Sequence, residues 1–426
     1  MKVLRMNNNR LTVIPPGHAL SGKVSPPGSK SITNRALLLA GLARGTSRLT
    51  GALKSDDTRH MANALRAMGV RVDEPDDTSF VVTGTGRLEA PSGPLFLGNA
   101  GTATRFLTAA AAAVEGIVIV DGDEHMHKRP IAPLVIALQS LGIKAEAPTG
   151  CPPVTIEGQG HFGTGRVEID AGLSSQYVSA LLMAAPLAPQ GTSEPATIAL
   201  TGTEIGARGY IGLTLDAMAA FGAKVEQVDE ATWTVLPTGY RAADFHIEPD
   251  ASAATYLWAA EKLTGGAIDI GTPAEKFTQP DAKAYGVIAS FPHMPAEIDG
   301  SQMQDAVPTL AVLAAFNETP VRFTGIENLR VKECDRTRAL SLGLNAIREG
   351  LAEEDGDDLI VHADPALAGQ HLPAEIDTFA DHRIAMCFAL AGLKISGITI
   401  LDPLCVGKTY PGYWDALASL GVEYED

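Results

Sequence analysis

One short pattern recurs along the chain at nearly constant spacing, and it limits the fold more than composition does. A small residue, a large apolar one, two variable residues, an apolar residue and a glycine stand at 64–69 (ALRAMG), 137–142 (ALQSLG), 217–222 (AMAAFG) and 416–421 (ALASLG). Each is followed by a short apolar and charged alternation: VRV, IKA, AKV and VEY. An amphipathic helix that ends on a glycine at positive φ and then enters an edge strand has this signature. The first three glycines lie 73 and 80 residues apart, and weaker matches at Gly286 and Gly350 fill the 199 residues before Gly421. Six units of about 71 residues account for all 426. Since a chain this long exceeds one ordinary core, the spacing predicts an α/β protein of six copies, three in each of two domains.

A second helix is expected in each copy, with a polar start and an apolar body. The segments begin at Pro27 (PGSKSITNRALLLAGLA), Gly98 (GNAGTATRFLTAAAA), Leu173 (LSSQYVSALLMAAPLA), Pro249 (PDASAATYLWAAEKL), Asp305 (DAVPTLAVLAAF) and Ala380 (ADHRIAMCFALAGL). Helices apolar almost all round belong in domain interiors. Their Ser, Asn, Gly and Asp starts suit N-caps and leave backbone N–H groups for an anion. Basic residues recur between the two helices of each copy: Arg59, Lys128 and Arg129, Arg208, Lys332 and Arg336, and Lys408. Taken singly, each reads as a solvated surface charge; recurring after the same strand, they point to an anionic ligand.

Composition narrows the ligand. With 33 basic and 50 acidic residues, the net charge is −17, which argues against a nucleic-acid partner but not against a local anion site. The start MKVLRMNNNR is polar and no apolar run of ~18 residues occurs, so neither a signal peptide nor a membrane span is expected. Cys151, Cys334, Cys387 and Cys405 lie far apart without CxxC spacing, which suggests neither a zinc site nor a disulfide framework. A cytoplasmic protein is expected.

The motifs PPGSKSITNRALLLAGLARGTSRLTGALKSDDTRHM, LGNAGTATRFLTAA, LSSQYVSALLMAAP, LRVKECDRTRAL, DHRIAMCFALAGL and LCVGKTYPGYWDAL together resemble the 5-enolpyruvylshikimate-3-phosphate synthase family, in family order from about Ser21 to Gly421. The resemblance implies two domains of three βαβαββ units each, an inside-out α/β barrel architecture, and an active site in the interdomain cleft. The inserted domain would be 29–247, and 1–28 plus 248–426 the second. It implies transfer of the enolpyruvyl group of phosphoenolpyruvate to the 5-hydroxyl of shikimate 3-phosphate, with release of phosphate, by a monomer that needs no metal or cofactor. Glyphosate inhibits this family in competition with phosphoenolpyruvate.

Carried over residue by residue, the resemblance assigns Lys30 to both substrates, and Ser31, Arg35, Ser174, Ser175, Tyr210, Asn328 and Lys332 to shikimate 3-phosphate. Asn99, Gly101, Thr102, Arg129, Arg336, Arg383 and Lys408 would hold phosphoenolpyruvate, with Gln176 between the two substrates. Asp305 would accept the hydroxyl proton, and Glu333, Lys30 and Lys408 complete the catalytic set. Simpler readings stand beside these: Asp305, Asp381, Ser174 and Ser175 could be helix caps, Gly101 a turn glycine and His382 a structural histidine. Two departures stand out. Ala207 replaces a usual serine, and Phe106 replaces a proline common after the arginine of GTATR. The fourth copy also looks shortened between Pro280 and Gly300. Competing readings are a UDP-N-acetylglucosamine enolpyruvyl transferase, whose loop cysteine is missing from DGDEHMHKRP, and a non-catalytic anion-binding relative.

Overall fold

The computed structural model describes residues 9–170, 172, 174–192, 194–202 and 208–425; Leu173 and Ala207 therefore lie outside the described residues. It divides into two compact units, one of Met1–Pro27 with Pro249–Asp426 and the other of Gly28–Glu248. Each unit combines buried helices with separate small sheets.

In the unit Gly28–Glu248, the helices are α1 (Lys30–Leu42), α2 (Asp56–Ala67), α3 (Gly101–Ala110), α4 (Ala132–Ser140), α5 (Ser175–Ala184) and α6 (Gly209–Ala220). In the other unit they are α7 (Ala251–Thr264), α8 (Ala284–Ser290), α9 (Val307–Ala314), α10 (Arg336–Ile347), α11 (His382–Gly392) and α12 (Tyr413–Ser419). The apolar bodies foreseen from the sequence are interior. Every residue of α3, α9 and α11 is buried, and in α1 only Ser31 reaches the surface zone. By contrast α2 buries Met61, Ala62, Ala64 and Leu65 on one face, as an outer amphipathic helix must.

Among the described residues, five of the six sheets share one strand order: a parallel pair, then two antiparallel strands. Leu95–Phe96 lies parallel to Glu115–Asp121, which pairs antiparallel with Val154–Gln159 and through it with Lys144–Glu146. The same order joins Arg166–Asp170, Ala196–Thr201, Thr232–Val235 and Val225–Asp229. It joins Glu297–Asp299, Val321–Thr324, Asp358–Val361 and Ala352–Asp355 as well. In the sheet built on Ala43–Thr50, the parallel neighbour is the broken strand Tyr240–Arg241 and Phe245–His246. His371–Ile376 and Ser396–Leu401 are completed by Arg10–Ile14 and Glu423–Glu425, so the two ends of the chain share a sheet. The sixth sheet holds only the parallel pair Ser21–Lys23 and Ala267–Asp269. Each sheet ends in edge strands and, among the described residues, none closes into a barrel. Among the described residues no hydrogen-bonded ladder joins one sheet to the next, so the sheets are separate and the helices between them are buried.

The glycines that set the spacing end helices as their signature required. Gly69, Gly142, Gly222 and Gly421 all have φ between 78° and 101°. Past each one, an N–H reaches back to the helix: Val70 to Leu65 (3.0 Å), Ile143 to Leu138 (3.1 Å), Ala223 to Met218 (3.0 Å) and Val422 to Leu417 (3.1 Å). This six-to-one bond is the one a left-handed cap residue permits. Gly350 also takes positive φ, at 78°. Gly286 does not end a helix; it lies inside α8, in the copy whose sheet has two strands.

Glycine also lets a sheet approach a helix end. A Cβ on Gly158 would lie 2.1 Å from the Val114 carbonyl oxygen and 2.4 Å from that of Ala111, and Gly84 meets Ala43 and Gly41 in the same way. Backbone cannot yield cheaply to such contacts. Gly158→Ala is expected to lower stability by ~1–3 kcal/mol, read as a lower urea midpoint at unchanged slope; an unchanged midpoint would show that this sheet can shift at no cost.

Candidate functional site

In the unit Gly28–Glu248, the starts of the buried helices carry the candidate residues. Ser29 caps α1, accepting from the Ile32 N–H at 3.4 Å, and sets Lys30 at the first helical position. Lys30 is buried, with Nζ 3.8 Å from Asp57 Oδ2. Ser31 is half-buried one residue on. Arg35, one turn along, is buried and its Nη1 donates to the Ser31 carbonyl at 3.0 Å. Its Nε donates to Thr214 Oγ1 (2.8 Å), and Nη2 to Ser179 Oγ (3.1 Å) and the Tyr210 carbonyl (3.3 Å). Burial pulls its pKa from the usual 12.5 down to about 10, so the guanidinium stays charged at neutral pH.

At α3, Gly101 is the first helical residue and Thr102 is buried behind it. Arg129 donates from Nη1 to Asn99 Oδ1 (3.0 Å) and to the Asn99 carbonyl (3.2 Å). A Cβ on Gly101 would lie 2.7 Å from Arg129 Cζ and 2.6 Å from Arg105 Nη1, so only glycine lets both guanidinium groups close on this helix start. Arg105 Nη1 donates to the Gly101 carbonyl (3.0 Å) and to Gln176 Oε1 (3.2 Å), tying α3 to α5. Ser174 caps α5 by accepting from the Gln176 N–H at 3.2 Å, and Ser175 is buried beside it. Tyr177 Oη donates to the Pro130 carbonyl (2.7 Å), which fixes the loop carrying Arg129.

In the other unit the cluster is an ion network. Arg336, the first residue of α10, is 1% exposed. Its Nε is 2.7 Å from Asp381 Oδ2, Nη1 3.0 Å from Asp305 Oδ1 and Nη2 2.6 Å from Glu333 Oε2. Arg383 Nη2 lies 2.8 Å from Asp305 Oδ2, and Lys332 Nζ 3.9 Å from Asp305 Oδ1. Lys408 Nζ lies 2.9 Å from Glu333 Oε1. Burial alone would pull the Arg336 and Arg383 pKa values down, but the carboxylates outweigh it and hold both well above the ordinary range. Both are permanently cationic. Asn328 is buried, and among the described residues its Oδ1 has no hydrogen-bond partner.

The simpler readings divide. Ser174 and Asp381 are indeed N-caps, Asp381 accepting from the Arg383 N–H at 2.9 Å. Asp305 is not: Ala306 stands at the cap of α9, and the Asp305 carboxylate is held by two arginines. Arg59, Lys128 and Arg208 are exposed, and Arg59 pairs with Asp56 within its own helix at 2.6 Å. Three residues of the clusters escaped the sequence reading: Asp57, Arg105 and the ion-pairing role of Asp381. Each sits beside a motif residue, yet only partners brought from distant segments give it a role.

Chemically, one unit offers cations and helix N-termini for an anion. The other offers fixed arginines with two largely buried ion pairs, Asp305 with Arg383 and Glu333 with Lys408, suited to proton transfer.

The model of the family described as EPSP synthase (3-phosphoshikimate 1-carboxyvinyltransferase) matches residues 14–417. A Rhizobium etli protein named 3-phosphoshikimate 1-carboxyvinyltransferase is 76% identical over 417 residues, covering 98% of each chain. A Pseudomonas savastanoi pv. phaseolicola protein of that name is 70% identical over 415 residues, covering 97% of this chain and 98% of its own. Among solved structures, EPSP synthase from Acinetobacter baumannii superposes with a TM-score of 0.75 at 24% identity, over 98% of this chain and 100% of that one. The enolpyruvyl transferase NikO from Streptomyces tendae gives 0.72 at 18% identity over 98% of each chain. These two likenesses concern the fold alone.

Asp381 is the only fully buried carboxylate among those bonded to Arg336 in the described residues. Asp381→Asn keeps the shape and the cap but removes the charge. Breaking a buried pair on one side costs ~3–5 kcal/mol, so a clear fall in the urea midpoint is expected. A fall equivalent to less than ~1 kcal/mol, the value of an exposed pair, would show that Asp305 and Glu333 suffice for Arg336.

Proposed function

Because the chain belongs to the EPSP synthase family, we propose a division of labour among its two clusters for the reaction that family name describes. The enolpyruvyl group of phosphoenolpyruvate passes to the 5-hydroxyl of shikimate 3-phosphate, and phosphate leaves. This is a transferase step of aromatic amino-acid biosynthesis.

Asp305 accepts the 5-hydroxyl proton as the oxygen attacks C2 of phosphoenolpyruvate. A proton from the Glu333–Lys408 pair goes to the methylene carbon, giving a methyl group and a tetrahedral intermediate. Loss of phosphate, which carries away the proton held by Asp305, and of one methyl proton, returned to that pair, restores the double bond and both carboxylates. Arg129, Arg336, Arg383 and Lys408, with Asn99, Gly101 and Thr102 at the start of α3, hold phosphoenolpyruvate. Ser31, Arg35, Ser174, Ser175, Tyr210, Asn328 and Lys332 hold shikimate 3-phosphate, and Lys30 and Gln176 serve both. Fixed cations of this kind neutralise developing charge without reorganising. The observation that carries the reading is the pair of carboxylates held by cations, Asp305 by Arg336 and Arg383, and Glu333 by Lys408 at 2.9 Å. A pure anion binder has no use for carboxylates there. The reading includes two functional domains that coincide with the two units, each of three βαβαββ copies. The strand order common to five sheets supports this, the copy containing α7 having lost its antiparallel pair. It also includes a monomer working in the cytoplasm.

Phosphate release from phosphoenolpyruvate should depend on shikimate 3-phosphate and not occur with UDP-N-acetylglucosamine. Release with the nucleotide sugar would favour the other transferase, and release with neither a non-catalytic role. Asp305→Asn should cut kcat by ~10²–10⁴-fold with an unchanged circular dichroism spectrum; near-normal turnover would remove Asp305 from the mechanism. Gly101→Ala should push the Arg105 and Arg129 guanidinium groups aside and raise KM for phosphoenolpyruvate. Glyphosate, the longer ligand, should lose more affinity than phosphoenolpyruvate in that variant. Equal inhibition constants in the two proteins would mean that glyphosate does not lie against Gly101.

A further inference from the structure

Arg35 presents a problem that the proposed roles do not solve. Its guanidinium is 1% exposed, yet among the described residues no carboxylate pairs with it. A buried charge is costly unless partnered, and the four acceptors around it are neutral: Thr214, Ser179 and the Ser31 and Tyr210 carbonyls. What remains is two aromatic faces. Arg35 Cζ lies 5.1 Å from the centroid of the Phe106 ring and 5.8 Å from that of Tyr210. Both lie within the ~6 Å over which a ring quadrupole attracts a cation.

Phe106 is itself fully buried, on α3, one residue beyond Arg105. Adjacent helical residues point about 100° apart, so α3 sends Arg105 to Gln176 on α5 and Phe106 to Arg35 on α1. A carboxylate in the place of Phe106 would neutralise Arg35 and cancel its attraction for an anion. A ring stabilises the buried cation and leaves its charge for the ligand.

We infer that Phe106 is a positioning residue for shikimate 3-phosphate: its ring holds the unneutralised Arg35 guanidinium in place, so recognition of that substrate depends on the helix that also carries the phosphoenolpyruvate residues. The inference rests on the assignment of Arg35 to shikimate 3-phosphate under the proposed function. It gives the phenylalanine of GTATRF a purpose that a proline, whose ring is saturated and has no π face, cannot serve.

The test is Phe106→Leu, which keeps an apolar side chain and removes the ring, with Phe106→Met as the unbranched second variant should the leucine protein not fold. A cation–π contact in a desolvated place predicts a rise of roughly 5- to 30-fold in KM for shikimate 3-phosphate, matched by its dissociation constant from titration calorimetry. KM for phosphoenolpyruvate and kcat should stay within about twofold, since neither passes through Arg35. A merely structural role would instead lower the melting temperature while leaving both Michaelis constants alone. That result, or a rise in the phosphoenolpyruvate constant without one for shikimate 3-phosphate, overturns the inference. Failure of the underlying reading is separately visible: the unaltered protein would then show no turnover with shikimate 3-phosphate.

Discussion

The Arg336 guanidinium organises the unit that carries it. It is buried at the start of α10, and its three carboxylates come from three places in the chain: Asp305 ahead of α9, Glu333 ahead of α10 itself and Asp381 at the cap of α11. A permanently charged fork in a low-dielectric interior needs these partners, and they in turn are fixed by it. Asp305 reaches on to Arg383 and Lys332, and Glu333 to Lys408. Four cations and three carboxylates therefore form one network whose geometry no single segment could hold.

The other unit solves the burial of its arginines differently. Arg35 has neutral acceptors and aromatic faces, Arg129 is held by Asn99, and Arg105 by a carbonyl and an amide oxygen. Together with the starts of α1, α3 and α5, this arrangement keeps a positive field inside a protein of net charge −17. The contrast has a chemical sense. Under the proposed roles, cations are matched with carboxylates where protons would move, and where an anion would only be held Arg35 has no carboxylate partner among the described residues.

Much of this was legible in the amino-acid order. The glycine endings predicted edge strands, and the helices that they close are followed by strands at the ends of their sheets. The apolar segments with polar starts predicted buried helices, and α3, α9 and α11 are buried along their whole length. Gly286 misled because a six-residue pattern is short enough to arise inside a helix. The simpler reading of Asp305 as a helix cap fails because two arginines from α10 and α11 offer its carboxylate stronger partners than one backbone N–H.

Local information determined which segments became helices, where they stopped and which faces were apolar. These properties depend on neighbours within a turn or two: the period of apolar residues, the capping side chain, the freedom of glycine at positive φ. Only tertiary structure decided which charges were to be matched. Arg35 and Arg336 stand in similar sequence surroundings, each in the first turns of a helix after a serine or aspartate cap. One ends among neutral oxygens and rings and the other among three carboxylates, because those partners lie from 3 to 179 residues away. Electrostatic energy in a buried place depends on distance through space, and the order of residues alone does not carry that distance.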